Sequence, residues 1–240
     1  MPSLPDHAFT ITGGCNCSAI RYKISIPALA DRPPTHMKVS LFLSPEQAKK
    51  DWRLPTLAVC HCASCRRGFG SVVPAMAQCA AYMVSVSALP VKSTEKAEDV
   101  GTGGFSALAP RESAGELDEE RQAEFRPATE VFKPGTASGD EETWVRFYHA
   151  SGCVPDAARV FCGRCGVHFG KAYRITEDLY GFMDKPAGGW DEVVNISIAT
   201  MDDEWLGQDW MEPAVQAFGG LWGVPWVVRT VKMGEDEGQV

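Results

Sequence analysis

The sequence predicts a mainly β protein with few short helices, on three observations. Several short segments combine β-branched and aromatic residues with partial alternation of apolar and polar positions, which is typical of strands. Glycine and proline recur between these segments and break the chain into short elements, which favours a β-rich fold. The clearest helix signal is confined to one short segment. The predicted strands are residues 20–26 (IRYKISI), 56–60 (TLAVC), 143–149 (TWVRFYH) and 193–200 (VVNISIAT).

The predicted helix covers residues 44–52, which read SPEQAKKDW. Ser44 is the expected N-cap, and Pro45 occupies the first helical position, where its missing N–H costs nothing. Gln47 lies three residues after Ser44, which is the spacing of a capping box. This segment therefore carries the signals of a helix start.

A single domain is expected over residues 11–230, since a chain of 240 residues with 45% hydrophobic and 22% charged residues can bury its own core. Residues at about 92–126 differ in composition and include the acidic run ESAGELDEERQAE. Because this stretch has too little apolar surface to offset ordering, we expect a disordered acidic insertion, with a short acidic helix as the alternative. Residues 1–10 and 234–240 are expected to be mobile termini.

Charge and hydropathy exclude several classes of protein. The net charge of −8 disfavours general binding to nucleic acid. No run of 18 apolar residues occurs, so no membrane span is expected. The start of the chain lacks the basic and apolar regions of a signal peptide. The nine cysteines are therefore expected in a reducing compartment, cytoplasmic or nuclear, where close cysteine spacing points to metal binding or catalysis.

Seven of the nine cysteines occur in three clusters with CxC or CxxC spacing. A CxxC turn places two thiolates at adjacent corners of a zinc tetrahedron, with bonds of about 2.3 Å. Three such clusters in one chain indicate metal binding. The other two, Cys79 and Cys153, stand alone in apolar surroundings and are interpreted as buried and inert. The clustered cysteines are Cys15 and Cys17, then Cys60, Cys62 and Cys65, then Cys162 and Cys165.

Seven ligands divide into a group of four and a group of three. A four-sulfur zinc site is closed and structural, whereas a three-ligand site leaves one position for water or substrate. The group of three can come from the single loop CHCASC at 60–65, and the two remaining pairs would join the start of the fold to its later part. In the alternative, Cys79, Cys153 or His61 completes the second group, and both sites are structural.

Four segments, in chain order, resemble the glutathione-dependent formaldehyde-activating enzyme and centromere protein V family. They are GGCNCSAIRY, CHCASCRRGFGS, FCGRCG and NISIATMDD. The resemblance covers residues 11–205 apart from the insertion, and all seven clustered cysteines match. Ser18 stands where the family usually has glycine, and Met201 where it usually has leucine. The stretch between Cys65 and Cys162 is also longer than is common, and none of these departures involves a ligand.

The resemblance implies a zinc-stapled, tent-like β fold of short antiparallel sheets that holds two zinc ions per chain. It implies a carbon–sulfur lyase of the S-(hydroxymethyl)glutathione synthase kind, which acts on the adduct of a thiol such as glutathione with a small electrophile such as formaldehyde. The centromere-protein side of the family implies the alternative, a non-enzymatic zinc-stapled module that binds another protein. By the resemblance, the structural zinc would be held by Cys15, Cys17, Cys162 and Cys165, and the open catalytic zinc by Cys60, Cys62 and Cys65.

Arg66 and Arg67 follow the second cluster directly. An electron-rich thiolate centre benefits from nearby donors, and forked guanidinium groups suit the carboxylates of glutathione, so we expect both beside the second zinc. The alternative is that they only cover the surface. His61 lies between two ligands and is expected to point away from the metal, and His168 is expected to be structural.

Overall fold

A computed structural model describes residues 4–91, 124–133, 142–149, 157–181, 183–185, 192–218 and 224. Within these ranges the chain is mainly β, which confirms the predicted fold class, and its helices are short. The strands are β1 Phe9–Gly14, β2 Ile20–Ile26, β3 Thr56–Cys60, β4 Ala75–Ala80, β5 Val84–Ala88, β6 Arg126–Pro127, β7 Val145–His149, β8 Ala158–Cys162, β9 His168–Arg174, β10 Glu192–Ser197 and β11 Val215–Ala217. The α-helices are α1 Pro45–Ala48, α2 Ala63–Phe69, α3 Ala128–Val131 and α4 Asp203–Leu206. Short 3-10 turns occur at Leu29–Asp31, Val39–Leu41, Ala81–Met83, Glu177–Leu179, Ile198–Thr200 and Asp209–Met211.

The strands form two sheets. The first has the order β1-β2-β5-β6, and the second has the order β11-β3-β4-β10-β9-β8-β7. Every pair of neighbouring strands is antiparallel except β11 and β3, which run parallel. The expectation of antiparallel sheets is therefore wrong at this one edge. Because β11 reaches β3 through a long connection and not a hairpin, no tight turn imposes an antiparallel direction there.

The central strands of the second sheet, β3, β4 and β10, are almost entirely buried on both faces. One face, which we call the inner face, belongs to the main core: Leu57, Cys79 and Ile196 lie in the same hydrophobic cluster as Tyr22 and Val86 of the first sheet. The opposite, outer face carries the alternate residues of each strand. Helix α2 and loops from elsewhere in the chain cover that outer face.

The predicted elements agree with the structure where local signals suffice. Strands β2 and β3 have the predicted bounds, and β7 begins two residues later than expected. The predicted strand at 193–200 ends at Ser197, since residues 198–200 form a 3-10 turn. The capping box of α1 is present, with both Ser44–Gln47 bonds formed, but the helix ends at Ala48. The Trp52 indole donates to the Gln47 carbonyl at 3.0 Å, the acceptor that a continuing helix would use.

The predicted domain boundaries need two adjustments. Strand β1 begins at Phe9, so residues 9 and 10 belong to the first sheet and not to a mobile terminus. Strand β6 begins at Arg126, so the last residue of the expected insertion pairs with β5. Residues 92–123 and 234–240 lie outside the described residues. Across the described ranges, no helix has the length and apolar character needed to cross a bilayer.

Candidate metal centres

The first centre brings together four cysteines, two from the start of the chain and two from its later part. Their sulfur atoms all lie within 4.8 Å of one another. The Sγ atoms of Cys15 and Cys17 are 3.5 Å apart, and those of Cys17 and Cys162 are 3.8 Å apart. A tetrahedron with metal–sulfur bonds of about 2.3 Å has edges of about 3.8 Å, whereas a disulfide is only about 2.05 Å long. The predicted group therefore exists and fits one tetrahedral ion; its members are Cys15, Cys17, Cys162 and Cys165.

Two tight turns aim these sulfur atoms at one point. After β1, the Ile20 amide donates to Cys15 Sγ at 3.3 Å, and the Ser18 amide donates to the Cys15 carbonyl at 2.9 Å. After β8, the Gly166 amide donates to the Cys162 carbonyl at 2.9 Å, and Gly166 has φ 77°, which an L-residue rarely adopts. Backbone N–H groups that point at sulfur favour the thiolate, which is the form a metal binds.

Ser18 has φ 57° and so takes the left-handed conformation in the first turn. Glycine adopts this conformation more readily than any L-residue. The left-handed conformation costs an L-residue about 1 kcal/mol of folding free energy. Glycine avoids this strain, but its more flexible unfolded chain offsets part of the gain. Ser18→Gly is expected to stabilise the protein by about 0.5–1 kcal/mol, or roughly 2 °C in Tm, measured by thermal unfolding of the metal-loaded chain. An unchanged or lower Tm would contradict a strained turn.

An ion pair beside the first centre fastens its hairpin to the segment after β10. Arg21 binds Asp202 through two hydrogen bonds of 2.9 and 2.6 Å, and Thr12 donates to the same carboxylate at 2.5 Å. Burial raises the pKa of Asp202, but the hydrogen bonds from Arg21 and Thr12 outweigh burial and hold that pKa below its usual range. Met201, which precedes Asp202, is buried in the main core.

The second centre lies where β3 meets α2. The sulfur atoms of Cys60, Cys62 and Cys65 lie within 4.8 Å of one another, and all three residues are buried. Cys60 and Cys62 Sγ are 3.5 Å apart. Cys62 is the N-cap of α2, and its sulfur accepts the Cys65 amide at 3.3 Å. A strand end, a single linking residue and one helical turn therefore bring three ligands to one side of a metal position.

No fourth protein ligand joins this group among the described residues. His61 is buried, and its Nε2 lies 3.1 Å from Gln216 Oε1, so that nitrogen is engaged by an amide. Cys79 lies in the main core on the inner face of the sheet, away from the group. Cys153 lies outside the described residues. Three sulfur ligands leave one tetrahedral position for an exogenous ligand.

The thiols of both centres are too crowded to ionise together without a cation. Hydrogen bonds with Cys62 and Cys65, together with burial, raise the pKa of the Cys60 thiol well above its usual range. In the first centre, hydrogen bonds from Cys15 and Cys162 lower the pKa of Cys17 to about 7, while the pKa of Cys15 is raised. A divalent cation bound by these sulfur atoms would replace the thiol protons that form the hydrogen bonds between them. Every sulfur could then ionise. Both groups therefore suit a thiophilic metal such as zinc.

The two arginines after the second cluster occupy different places. Arg66 is half-buried, and its Nε donates to the His61 carbonyl at 3.1 Å, so it braces the turn between the ligands. Arg67 is exposed. His168 packs edge-on against Phe69 of α2, with ring centroids 4.4 Å apart. Burial, with the nearby Arg159 charge, lowers the pKa of His168 to about 4, so this imidazole is neutral at physiological pH.

Sequence reasoning missed Arg159, a buried cation beneath α2. Arg159 lies on β8 with 4% of its surface exposed, and its Nη2 donates to Ser64 Oγ at 2.6 Å. Gly68 allows this approach, since a Cβ there would lie 2.5 Å from Arg159 Nη1. The guanidinium thus supports the helix that carries Cys62 and Cys65.

A cavity of about 50 Å³ lies beside Cys60, between the outer face of the second sheet and its covering loops. Its walls are mostly apolar, and its polar members come from three adjacent strands; they are Gln78, Lys171, Tyr173 and Asn195. Sequence reasoning missed them as well. The only signal is a single polar residue within an apolar strand, and a solvent-facing position produces the same signal.

A scan of known protein families found none that matches the chain, and a search of curated proteins found no match either.

Proposed function

We propose that the chain is a zinc-dependent carbon–sulfur lyase-type enzyme that joins and separates a small electrophile and a thiol such as glutathione. The observation that carries this proposal is the second centre: three buried sulfur ligands, no fourth among the described residues, and a cavity against Cys60. The motifs that resemble the formaldehyde-activating enzyme family support the same activity and the same assignment of zinc to both centres.

Zinc in the second centre would supply the open position in which the substrate thiol binds as a thiolate. A free thiol with a pKa of ~8.5 is about 3% ionised at pH 7, so full ionisation raises its reactive fraction roughly 30-fold. A thiolate of lower pKa is also a weaker nucleophile, and this offsets part of the gain from ionisation. The chain must therefore supply most of the acceleration by holding the electrophile in line with the sulfur, and the cavity beside Cys60 is suited to that role.

The reaction needs no oxidant or further reactant. The thiolate attacks the carbonyl carbon of an aldehyde, a carbon–sulfur bond forms, and the carbon–oxygen π bond becomes a lone pair on oxygen. The proton that the thiol released ends on that oxygen, which gives an S-(1-hydroxyalkyl) adduct. The reverse sequence cleaves the adduct, as a lyase does.

Cobalt substitution tests the open position. Co²⁺ occupies tetrahedral sulfur sites and absorbs visible light, and its sulfur-to-metal band grows with the number of sulfur ligands. We expect glutathione to raise this band at the second metal alone, with saturation at millimolar concentration or below. Binding should tighten from about pH 6 to 8, because a proton is released as the thiolate binds.

Arg66→Ala combined with Arg67→Ala is the matched test of thiol recognition. If these side chains bind carboxylates, the double variant should weaken glutathione more than it weakens a small neutral thiol. If the binding of glutathione and that of the neutral thiol weaken equally, the arginines do not bind carboxylates, and Arg66 only braces the turn. A cobalt spectrum that glutathione leaves unchanged would favour the alternative, a non-enzymatic zinc-stapled module that binds another protein.

A further inference from the structure

A row of polar side chains crosses the buried outer face of the second sheet. The strand register places each beside the next: Thr56 faces Gln78, Gln78 faces Asn195, Asn195 faces Lys171, and Lys171 faces Arg159. Each of the five has at most 8% of its surface exposed. Five adjacent polar positions in a covered layer are costly to desolvate, so packing alone does not account for them.

Two oxygen atoms of the row accept no hydrogen bond from the described residues. Gln78 Nε2 donates to the Tyr173 hydroxyl at 2.8 Å, but Gln78 Oε1 accepts no hydrogen bond in the described part of the chain. Asn195 Oδ1 likewise accepts no hydrogen bond from the described residues. Since buried polar atoms are nearly always bonded, these two acceptor oxygens point to a hydrogen-bond donor that the described residues do not supply.

The cavity joins this row to the second centre. Cys60, Gln78, Lys171 and Asn195 all line it. Its volume of about 50 Å³ compares with the 10–15 Å³ that one water needs on the same measure, which leaves room for about three to five non-hydrogen atoms. The rest of the wall is apolar and includes Met37, Phe42, Met76, Met183 and Phe218.

We propose that this cavity binds the electrophile, a small aldehyde with a short apolar body whose oxygen lies toward Lys171. The hydroxyl that this oxygen becomes on addition supplies the donor that Gln78 Oε1 or Asn195 Oδ1 lacks. This inference rests on the proposed function and adds the substrate class and the residues that select it. Formaldehyde, with two non-hydrogen atoms, would leave the methionine and phenylalanine walls without contacts. An aldehyde with one to three further carbons fills them.

Lys171 is placed to act on the oxygen. Its Nζ lies 5.1 Å from the centroid of the Tyr173 ring, at the polar end of the cavity that Cys60 also lines. When sulfur attacks the carbonyl carbon, negative charge develops on the oxygen, and a fixed ammonium group stabilises it strongly in a site shielded from water. Burial raises the pKa of Tyr173, so its hydroxyl stays protonated beside that oxygen.

Unreactive amides provide a test that involves neither thiol nor catalysis. Formamide, acetamide, propionamide and hexanamide share a polar carbonyl and differ in the length of the apolar body. The full chain, loaded with zinc and labelled at its methionine methyl groups, is titrated with each amide by NMR. We expect the signals of Met37, Met76 and Met183 to shift, and those of Met201 and Met211 in the main core to stay fixed. Affinity should rise about fourfold per methylene up to propionamide and stop rising by hexanamide.

Two variants separate the polar end from the apolar wall. Lys171→Met keeps the length of the side chain, removes its charge, and should weaken every amide by roughly tenfold or more. Lys23→Met makes the same change on the first sheet and should leave binding unchanged. Ala58→Leu fills the cavity from β3 and should weaken propionamide far more than formamide.

The outcomes distinguish this inference from the proposed function. Equal binding of all amides, or shifts confined to other methionines, overturns the cavity assignment even if the chain cleaves thiol adducts. Amide binding in the expected order, with no turnover of any aldehyde and no entry of glutathione into the cobalt site, overturns the lyase proposal and keeps the cavity as a site for small carbonyl compounds.

Discussion

Replacing Cys162 with serine is expected to leave a chain that does not fold. Cys162 is completely buried, and its sulfur lies among those of Cys15, Cys17 and Cys165. Structural zinc contributes roughly 10–16 kcal/mol in small zinc domains, whereas an entire domain is stable by only about 5–15 kcal/mol. The centre also joins β1 and β2 to β8 and β9, so its loss separates two parts of the fold. Circular dichroism and zinc content of the purified variant measure the effect.

Cys79→Ala is the matched control, because Cys79 is equally buried and belongs to neither sulfur group. It should retain two zinc ions and lose roughly 1–2 kcal/mol of stability. Cys17→Ser should behave as Cys162→Ser does. A folded Cys162→Ser protein with unchanged zinc content would show that the first centre does not determine the stability of the fold.

Replacing Cys62 with serine is expected to produce the opposite pattern, a folded protein with one zinc ion and no activity. All three ligands of the second centre lie within six residues, so this metal connects no distant segments. Main-core residues hold β3 through its inner face, and that packing remains in the variant. Activity toward thiol adducts should fall by more than about 100-fold, the upper end of the effect of changes around a metal's ligands.

Metal analysis and turnover are to be measured on the same preparation, with zinc retained during purification. Ser64→Ala in helix α2 is a useful comparison: it removes the hydroxyl that Arg159 contacts but no metal ligand. It should keep two zinc ions. If Cys62→Ser aggregates as Cys162→Ser does, both centres are structural and the lyase proposal fails.

The metal groups were predictable because coordination imposes its own spacing. The CxC and CxxC patterns place sulfur atoms at tetrahedral separations whatever the surrounding fold, and the structure brings all seven into the predicted groups. Strands β2 and β3 were predictable for a similar reason, since their alternation or β-branched content is a local property. The end of β10 was not. There, Thr200 bonds the Ser197 carbonyl at 2.8 Å and lies 2.9 Å from the Tyr22 hydroxyl, a contact with a strand far away in sequence.

The polar row was not predictable for a different reason. Gln78, Asn195 and Lys171 are polar residues within strands, and the same pattern arises wherever a strand faces water. Only the register between strands aligns them, and segments distant in sequence, including the loops that carry Met37 and Met183, enclose them. Both depend on contacts between distant parts of the chain, which a reading of local pattern does not contain.

Strand β11 gives the second centre an order of assembly during synthesis. Ala217 pairs with Cys60 and accepts the His61 amide at 2.9 Å, and Ala217 and Phe218 line the cavity. The ribosome thus makes the three ligands of this centre early and part of its wall some 150 residues later, while the four-cysteine centre is complete once Cys165 has emerged. A nascent chain can therefore form its folding centre first. The second centre gains the wall that Ala217 and Phe218 form only when β11 reaches the sheet.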